Sequence, residues 1–471
     1  MPEHFFGFRI SDFGFETSLF SSMNDVMNPV SGAVVAPQGF RSAGVFCDIK
    51  RLGTGKGSDK GAKPDLALLV SDIPAAVAGL FTTNQICAAP VKWDRDRVRA
   101  GWAQAVVINS GNANACTGPR GERDTRAMAH AAARVCGVSP ELTLVASTGR
   151  IGVPLPMPEV RRGIRAAARE LANTPAAADA AAEAILTTDT VTKQLAVEFT
   201  LGGRAVRLGG MAKGAGMIHP GMSVTGARPP AGREGLHATM LAFLTCDAAL
   251  EPELLQDLLA DAVAASFNRI TVDGDMSTND TVLLLANGLA ENPVLRRRAR
   301  TAAQRRDRAT LAAALHHVCL ELAKQMVRDG EGTTRLVTVR VSGARNAAEA
   351  DAAARAVANS ALVKTSWHGG DPNWGRIVDA LGYSPATVVE EKVDIGYRAR
   401  PGARPVYSLK GGRPTRTSYA RLCAAVAGAE FELLIDLNLG RGEAVVYAAD
   451  LTEAYVEFNK GDPADPASLG G

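Results

Sequence analysis

The 471-residue chain lacks the cysteine spacing of a disulfide framework or a zinc site. Its seven cysteines are odd in number and scattered, and no two of them are separated by just two residues. Such usage is typical of buried thiols in a reducing compartment, so we expect a cytoplasmic protein. The side chains of the adjacent His316 and His317 would diverge on a helix, and we expect no metal centre.

Net charge and long apolar runs are also scarce. The 52 basic and 49 acidic residues leave a net charge of +3, which argues against nucleic acid or an anionic membrane as the main partner. No run of about 18 apolar residues predicts a transmembrane helix. Aromatic residues make up only 5% of the chain, yet phenylalanines crowd the first twenty residues, without the basic segment of a secretory signal. We interpret residues 1–35 as a poorly ordered N-terminal extension.

Apolar runs of strand length alternate with alanine-rich segments of helical character. Residues 67–70 and 105–108 are short apolar runs bounded by polar or turn residues, which predicts buried strands. Alanine-rich segments such as 124–135 predict helices. Because the two types mix without strict βαβ alternation, we predict a layered α/β (α+β) fold. The length of the chain suggests two to four domains. The pattern of helices and strands repeats in style after about residue 290, so we predict a layered domain over 36–290 and a smaller C-terminal α+β domain over 291–471.

A small residue, a threonine and an apolar run meet at Ala238-Thr239-Met240-Leu241. This order suits a self-cleaving junction, because cutting the bond before Thr239 would leave a free α-amine beside the threonine hydroxyl. An α-amine has a pKa of about 8 and could act as the general base for that hydroxyl. The competing interpretation is a β-branched residue that simply opens a core strand.

Four polar, glycine-rich segments could carry chemistry: residues 109–118, 147–152, 213–217 and 329–334. The second could form an oxyanion hole, because glycine lets backbone N–H groups approach a ligand oxygen. In the third, a lysine precedes small residues and could hold a substrate carboxylate, although the order is not that of a phosphate-binding loop. The fourth could present a carboxylate to a substrate ammonium. For each segment alone, an ordinary turn or a solvated side chain is the favoured interpretation.

Taken together, these segments resemble the ornithine acetyltransferase family. The resemblance spans residues 38 to 459, and the matching pieces follow one another in order. They are residues 109–118, 147–152, 187–190, 213–220, 238–241, 273–281, 329–332, 362–365, 371–376 and 454–456.

The resemblance implies an N-terminal-nucleophile-like αββα sandwich of the aminopeptidase DmpA/ornithine acetyltransferase type. It implies a precursor that cuts itself between Ala238 and Thr239 into an α chain and a β chain, with two of each in the assembly. Thr239 would carry acetyl from N2-acetylornithine to glutamate without any cofactor, and acetyl-CoA use stays open. By similarity, Thr148 and Gly149 are the oxyanion pair. The implied substrate contacts are Thr187, Lys213, Thr239, Glu331 and Asn459.

Two stretches depart from the family pattern. Residues 223–237 are inserted directly before the junction, and their glycine, proline and arginine content predicts a surface loop. Beyond Asn459 the chain continues without a residue that can be aligned as a further substrate contact. Two alternative functions therefore stay open: an amidohydrolase or aminopeptidase that uses the same threonine with water as acceptor, or an uncleaved, inactive binding protein.

Overall fold

The computed structural model describes residues 27–50, 63–227 and 240–460. The strands in these ranges are β1 (Asn28–Pro29), β2 (Phe40–Val45), β3 (Leu66–Phe81), β4 (Trp102–Asn112), β5 (Thr143–Arg150), β6 (Lys193–Leu201), β7 (Arg204–Lys213), β8 (Leu241–Cys246), β9 (Ile270–Thr271), β10 (Thr281–Ala286), β11 (Leu336–Ala344), β12 (Asp394–Arg398), β13 (Val406–Lys410), β14 (Arg413–Pro414), β15 (Glu430–Asp436) and β16 (Gly442–Ala449). The α-helices are α1 (Ala89–Val98), α2 (Gly118–Cys136), α3 (Met157–Glu170), α4 (Pro175–Ala184), α5 (Pro252–Ala264), α6 (Ala302–Arg328), α7 (Ala347–Asn359), α8 (Ala361–His368), α9 (Trp374–Gly382), α10 (Tyr419–Ala425) and α11 (Glu453–Phe458).

Nine strands form one sheet in the order β1-β6-β7-β8-β10-β3-β4-β5, with β2 paired to β3. Most neighbours run antiparallel, whereas β8 with β10 and β4 with β5 are parallel pairs. A two-residue turn, Gly202-Gly203, joins β6 to β7. Both glycines have positive φ, which is the conformation that such tight hairpin turns require.

This sheet folds over on itself and so supplies two of the four layers. Successive side chains of a strand point to opposite faces, and in β8 Phe243 joins an inner core whereas Leu244 packs with helices α5 and α6. The long strand β3 shows how the sheet bends. Its outer side chain Leu68 packs with α2 and α3, while Leu80, beyond an irregularity in its pairing with β4, packs with α5 and α6. The layers therefore run helix, sheet, sheet, helix around one inner core.

Seven strands form a second sheet in the order β14-β13-β12-β15-β11-β16-β9. Its apolar core is shared with helices α7, α8, α9 and α10. Helix α6 begins at a capping box of Thr301 and Gln304 and packs between the layered domain and this sheet, where Leu336 and Ala449 join its core cluster. The second sheet is thus tied to the first through α6.

The layered α/β fold expected from the sequence is confirmed, and one boundary is corrected. Residues 27–35, which the sequence suggested were part of the extension, pack into the layered domain because β1 pairs with β6 and Val34 is fully buried. Residues 1–26 lie outside the described residues. The division at residue 290 stays a prediction, and β9, which precedes it, pairs with β16 of the second sheet.

Candidate active site

Three strand ends define the candidate site. Thr148 lies near the end of β5, and Lys213 is the last residue of β7, where it pairs with Leu241 at the start of β8. The described chain resumes at Met240, so Ala238 and Thr239 lie outside the described residues. The predicted nucleophile therefore directly precedes a strand whose neighbour β7 ends in Lys213.

Lys213 connects two of the other predicted site residues. Its ammonium donates to the hydroxyl oxygen of Thr187 at 2.7 Å and to that of Thr148 at 3.3 Å. The side chain is only 2% exposed, and burial lowers the pKa of Lys213, an effect that the nearby Asp189 carboxylate opposes. Because the lysine donates to Thr148 Oγ1, the hydroxyl hydrogen of Thr148 remains able to point toward another oxygen.

A buried chain of ion pairs holds the Lys213 ammonium in place. Asp189 lies 3.8 Å from the Lys213 ammonium, accepts a bond from Lys193 at 2.7 Å and accepts the N–H of Gly214. Lys193 also pairs with Asp329. Burial alone would raise the pKa of Asp189, but the two ammonium groups and the Gly214 N–H hold it well below its ordinary value. Asp189 is therefore an anion that keeps two buried cations in place.

Gly149 adopts a backbone conformation that few other residues could take. Its φ is +124°, and a Cβ there would lie 2.4 Å from the carbonyl carbon of Gly111 and 2.6 Å from the nitrogen of Asn112. Glycine is thus required both by the conformation and by the close passage of the neighbouring chain. Thr148 and Gly149 are neighbours near the end of β5, as an oxyanion pair made of a hydroxyl and a backbone N–H would need, and we call this bend of the strand the predicted oxyanion turn.

Glu331 and Asn459 meet across the site although they are far apart in the sequence. Asn459 Nδ2 donates to Glu331 Oε2 at 2.9 Å. The N–H of Glu331 bonds to the carbonyl of Ala215, and its carboxylate packs so closely on Gly216 that a Cβ at that glycine would lie 2.5 Å away. The Lys-Gly-Ala-Gly segment therefore begins with a buried cation, Lys213, and its second glycine packs on the carboxylate of Glu331.

Asp273 shapes the chain that follows this glycine-rich segment. Its carboxylate accepts the N–H groups of Met217 at 2.6 Å and Ile218 at 2.8 Å, and the hydroxyl of Tyr455 lies 3.3 Å away. Burial raises the pKa of Asp273, while these N–H donors lower it. Tyr455 belongs to helix α11, whose C-terminal cap is Asn459. The contact thus links the helix that presents Asn459 to the loop after Lys213.

The polar loop at residues 109–118 is largely structural. Asn109 Nδ2 donates to the carbonyl of Asn112 and Asn112 Nδ2 to that of Val153, while Asn114 Nδ2 bonds to the carbonyl of Gly121. All three side-chain amides donate hydrogen bonds to backbone carbonyls of the protein. Residues 109–112 belong to the end of β4 and residue 118 begins α2, so the segment is neither an ordinary turn nor free to bind a ligand through these amides.

Within the described ranges, no group of three or more histidine, cysteine or carboxylate side chains is arranged to hold a metal ion. No helix in the same part of the chain is long and apolar enough to cross a membrane.

Comparison with known sequences identifies the family. The sequence model of the ArgJ family matches residues 43–461. The chain belongs to the ArgJ family. The resemblance noted from the motifs is thereby confirmed.

The relatives of this ArgJ family member align over nearly their whole length. The arginine biosynthesis bifunctional protein ArgJ of Symbiobacterium thermophilum is 47% identical over 433 residues, which cover 92% of this chain and 99% of that protein. The protein of the same name from Geobacter sulfurreducens is 45% identical, with 90% and 98% covered. Among solved structures, ornithine acetyltransferase from Mycobacterium tuberculosis, complexed with ornithine, is 39% identical and covers 42% of this chain and 100% of that chain, with a TM-score of 0.38.

The motifs of this ArgJ family chain located most of the candidate site but missed two members. Thr148, Thr187 and Lys213 form one hydrogen-bonded set, and Glu331 and Asn459 form another. Lys193 was not predicted, because nothing local distinguishes it from a surface lysine at a strand start. The role of Asp329 was also missed, since the sequence suggested an acid facing substrate or solvent, whereas its side chain is 6% exposed and paired with Lys193.

Proposed function

We propose that this chain transfers the acetyl group of N2-acetylornithine to glutamate, which yields ornithine and N-acetylglutamate for arginine biosynthesis. The observation that carries the proposal is the convergence of Lys213 on Thr148 and Thr187, beside the strand that follows Thr239. The names of the relatives, arginine biosynthesis bifunctional proteins, support the same function.

The first chemical step of the proposal is acyl capture by Thr239. After self-cleavage, Thr239 Oγ attacks the carbonyl carbon of the acetamide while the threonine α-amine takes the hydroxyl proton. The C–N bond then breaks, the proton passes to the departing ornithine amine, and the acetyl group remains as an ester on Oγ. Glutamate enters and its α-amine attacks that ester, so the reaction follows ping-pong kinetics.

The oxyanion of each tetrahedral intermediate would be stabilised by Thr148 and Gly149. Lys213 donates a hydrogen bond to the hydroxyl oxygen of Thr148, so the hydroxyl hydrogen can be donated to the oxyanion. The nearby Lys213 cation also favours negative charge on that oxyanion. Preorganised donors of this kind contribute about 3–4 kcal/mol each to barrier lowering. The same groups would assist self-cleavage, in which Thr239 Oγ attacks the carbonyl of Ala238, the acyl group shifts from nitrogen to oxygen, and water hydrolyses the ester.

The opposite charges of Lys213 and Glu331 favour an amino-acid acceptor over water. Lys213 offers a cation for a substrate carboxylate, and Glu331, held by Asn459, offers an anion for a substrate ammonium. Both ornithine and glutamate carry an α-carboxylate, so one lysine serves each substrate in turn. Water as the acceptor would use neither charge in the second half-reaction, and the acetyltransferase is therefore our preferred function.

One experiment on the full-length protein separates the three candidate functions. We expect denaturing electrophoresis and mass spectrometry to find two fragments, the second beginning at Thr239, and ornithine release from N2-acetylornithine to require glutamate. The Thr239→Ala variant should stay intact and inactive. Ornithine release at the same rate without glutamate would indicate a hydrolase. A single uncut chain without transfer would indicate a binding protein, and an uncut chain with full transfer would reject the terminal-threonine mechanism.

Three further expectations accompany this proposal. We propose an assembly of two α and two β chains, which analytical ultracentrifugation of the mature protein would test. We also propose a cytoplasmic location, which the seven unpaired cysteines of the described ranges support. Acetyl-CoA as a second acetyl donor is tested by adding it with glutamate in place of N2-acetylornithine.

A further inference from the structure

Asn279 makes two hydrogen bonds to backbone segments that surround the predicted oxyanion turn. It lies just before β10, its side chain is buried, and its Nδ2 donates to the carbonyl of Ala113 at 2.7 Å and to that of Ser147 at 2.8 Å. Its Oδ1 accepts the hydroxyl of Thr278. Ser147 directly precedes Thr148. The side-chain amide of Asn279 therefore bonds to both strands that meet at the turn, to β5 at Ser147 and to the residue after the end of β4, Ala113.

The residues immediately after Asn279 hold the strand on the other side of the site. The carboxylate of Asp280 accepts the N–H of Met240 at 2.5 Å, and the N–H of Thr281 donates to the carbonyl of Met240 at 3.1 Å. Thr281 then pairs with Leu241 in the parallel ladder of β8 and β10. Three consecutive residues thus attach the start of β8 to the oxyanion turn.

The regular pairing of β4 with β5 ends at the two predicted donors. Ser110 pairs with Thr148 and Gly111 with Gly149, and the register shifts between Gly111 and Asn112. Asn279 bonds to Ser147 before this shift and to Ala113 after it, and so adds a fixed connection between the two strands.

We propose that Asn279 is a positioning residue that fixes the Thr148–Gly149 turn at a set distance from the start of β8. The inference rests on the proposed function, because it assumes that this turn stabilises the oxyanion of acetyl transfer. Asn279 need not touch substrate. It acts through the backbone of Ser147, and its effect falls on the reacting geometry rather than on substrate binding.

The test compares Asn279→Ala with a matched buried asparagine in the loop that follows β10. Asn292 is also buried, and its Nδ2 donates to two carbonyls, those of Ala249 and Pro293. We expect Asn279→Ala to lower kcat about 100-fold, because a misplacement of about 1 Å can cost that much in rate. KM for N2-acetylornithine should change by less than about twofold, the pattern of an interaction realised in the transition state. Asn292→Ala should lower the melting temperature by about as much as Asn279→Ala does, but should leave kcat unchanged.

Each outcome decides the inference separately from the proposed function. If Asn279→Ala folds and retains the kcat of Asn292→Ala, Asn279 is not a positioning residue. A rise in KM with kcat unchanged would also reject it. Asn279→Asp, which keeps the shape but loses both donors, provides a second measurement and should show the same fall in kcat. If neither variant folds while Asn292→Ala does, the role of Asn279 is structural and the inference fails. Absence of transfer by the wild-type protein would instead overturn the proposed function.

Discussion

Lys213 donates from Nζ to the hydroxyl oxygen of Thr148 at 3.3 Å, although the two residues belong to strands far apart in the order of one sheet. Strands β8, β10, β3 and β4 lie between β7 and β5 in that order. The contact exists because the sheet folds over, which brings the end of β5 toward the end of β7. A predicted substrate cation and a predicted oxyanion donor thus share one hydrogen bond.

Replacing Thr148 by valine should reduce catalysis while leaving substrate binding nearly intact. The substitution preserves the branched shape but removes the hydroxyl donor, so we expect kcat to fall about 10²–10³-fold with little change in KM. Steady-state kinetics of ornithine release checks this. Thr338→Val, at a buried threonine of β11 in the second sheet, is the matched control and should retain kcat. An equal fall in both variants would show that Thr148 contributes packing only.

Replacing Lys213 by alanine should weaken binding of both amino acids. Hydrogen bonds to charged groups contribute about 1.5–3 kcal/mol, which predicts a 10- to 100-fold rise in KM for N2-acetylornithine and for glutamate. Kinetics with each substrate varied in turn measures this effect. Self-cleavage involves no substrate carboxylate and should proceed further toward completion than transfer. Equal losses of cleavage and transfer would mean that the lysine does not act by binding the substrate carboxylate.

Local sequence patterns predicted the parts of this site better than its assembly. Glycine-rich segments marked residues 147–152, 213–217 and 329–334 as candidates, because turn chemistry is a local property, and the family resemblance then singled out Thr148, Lys213 and Glu331 within them. The way in which the sheet folds over could not be predicted from the sequence, because it depends on how the outer face of β3 packs on two different pairs of helices. The pairing of Lys193 with Asp329 spans 136 residues and leaves no local signal.

The loop Asp329-Gly330-Glu331 illustrates the limit of motif reasoning. Both acids had the same predicted surroundings, between a helix and a strand with neighbouring glycines. In the structure, Asp329 is buried against Lys193, whereas Glu331 reaches Asn459. Only tertiary packing separates the carboxylate that pairs with a buried lysine from the predicted substrate contact.

Replacing Asp189 by asparagine should destabilise the protein at neutral pH. Removing one partner of a buried ion pair costs about 3–5 kcal/mol, because the remaining charge stays buried and uncompensated. The pKa of Asp189 is held below its ordinary value in the folded protein, so its contribution is present above about pH 4 and is lost as the pH falls toward the lowered pKa. We expect the difference in free energy of unfolding between wild type and variant, measured by urea denaturation, to be smaller at pH values below 4 than at pH 7.

The exposed pair of Asp72 with Arg41 provides the comparison for this ion network. Both side chains are more than two-fifths exposed, and such pairs contribute about 0–1 kcal/mol. Asp72→Asn should therefore change stability little at any of these pH values. If the loss of unfolding free energy caused by Asp189→Asn stayed constant as the pH was lowered, Asp189 would not be ionised in the folded state.

Replacing Gly149 by alanine should displace the predicted oxyanion turn and abolish efficient transfer. The new Cβ would overlap the backbone of Gly111 and Asn112, and the positive φ adds strain of about 1–3 kcal/mol. Gly137→Ala is the control, because that glycine also has positive φ but no atom lies near its Cβ position. We expect Gly137→Ala to lose stability only, whereas Gly149→Ala should lose stability and also transfer, measured on protein shown to be folded by circular dichroism. Full transfer by a folded Gly149→Ala would mean that the N–H of this residue is not the donor, because such a clash cannot be relieved without moving the turn.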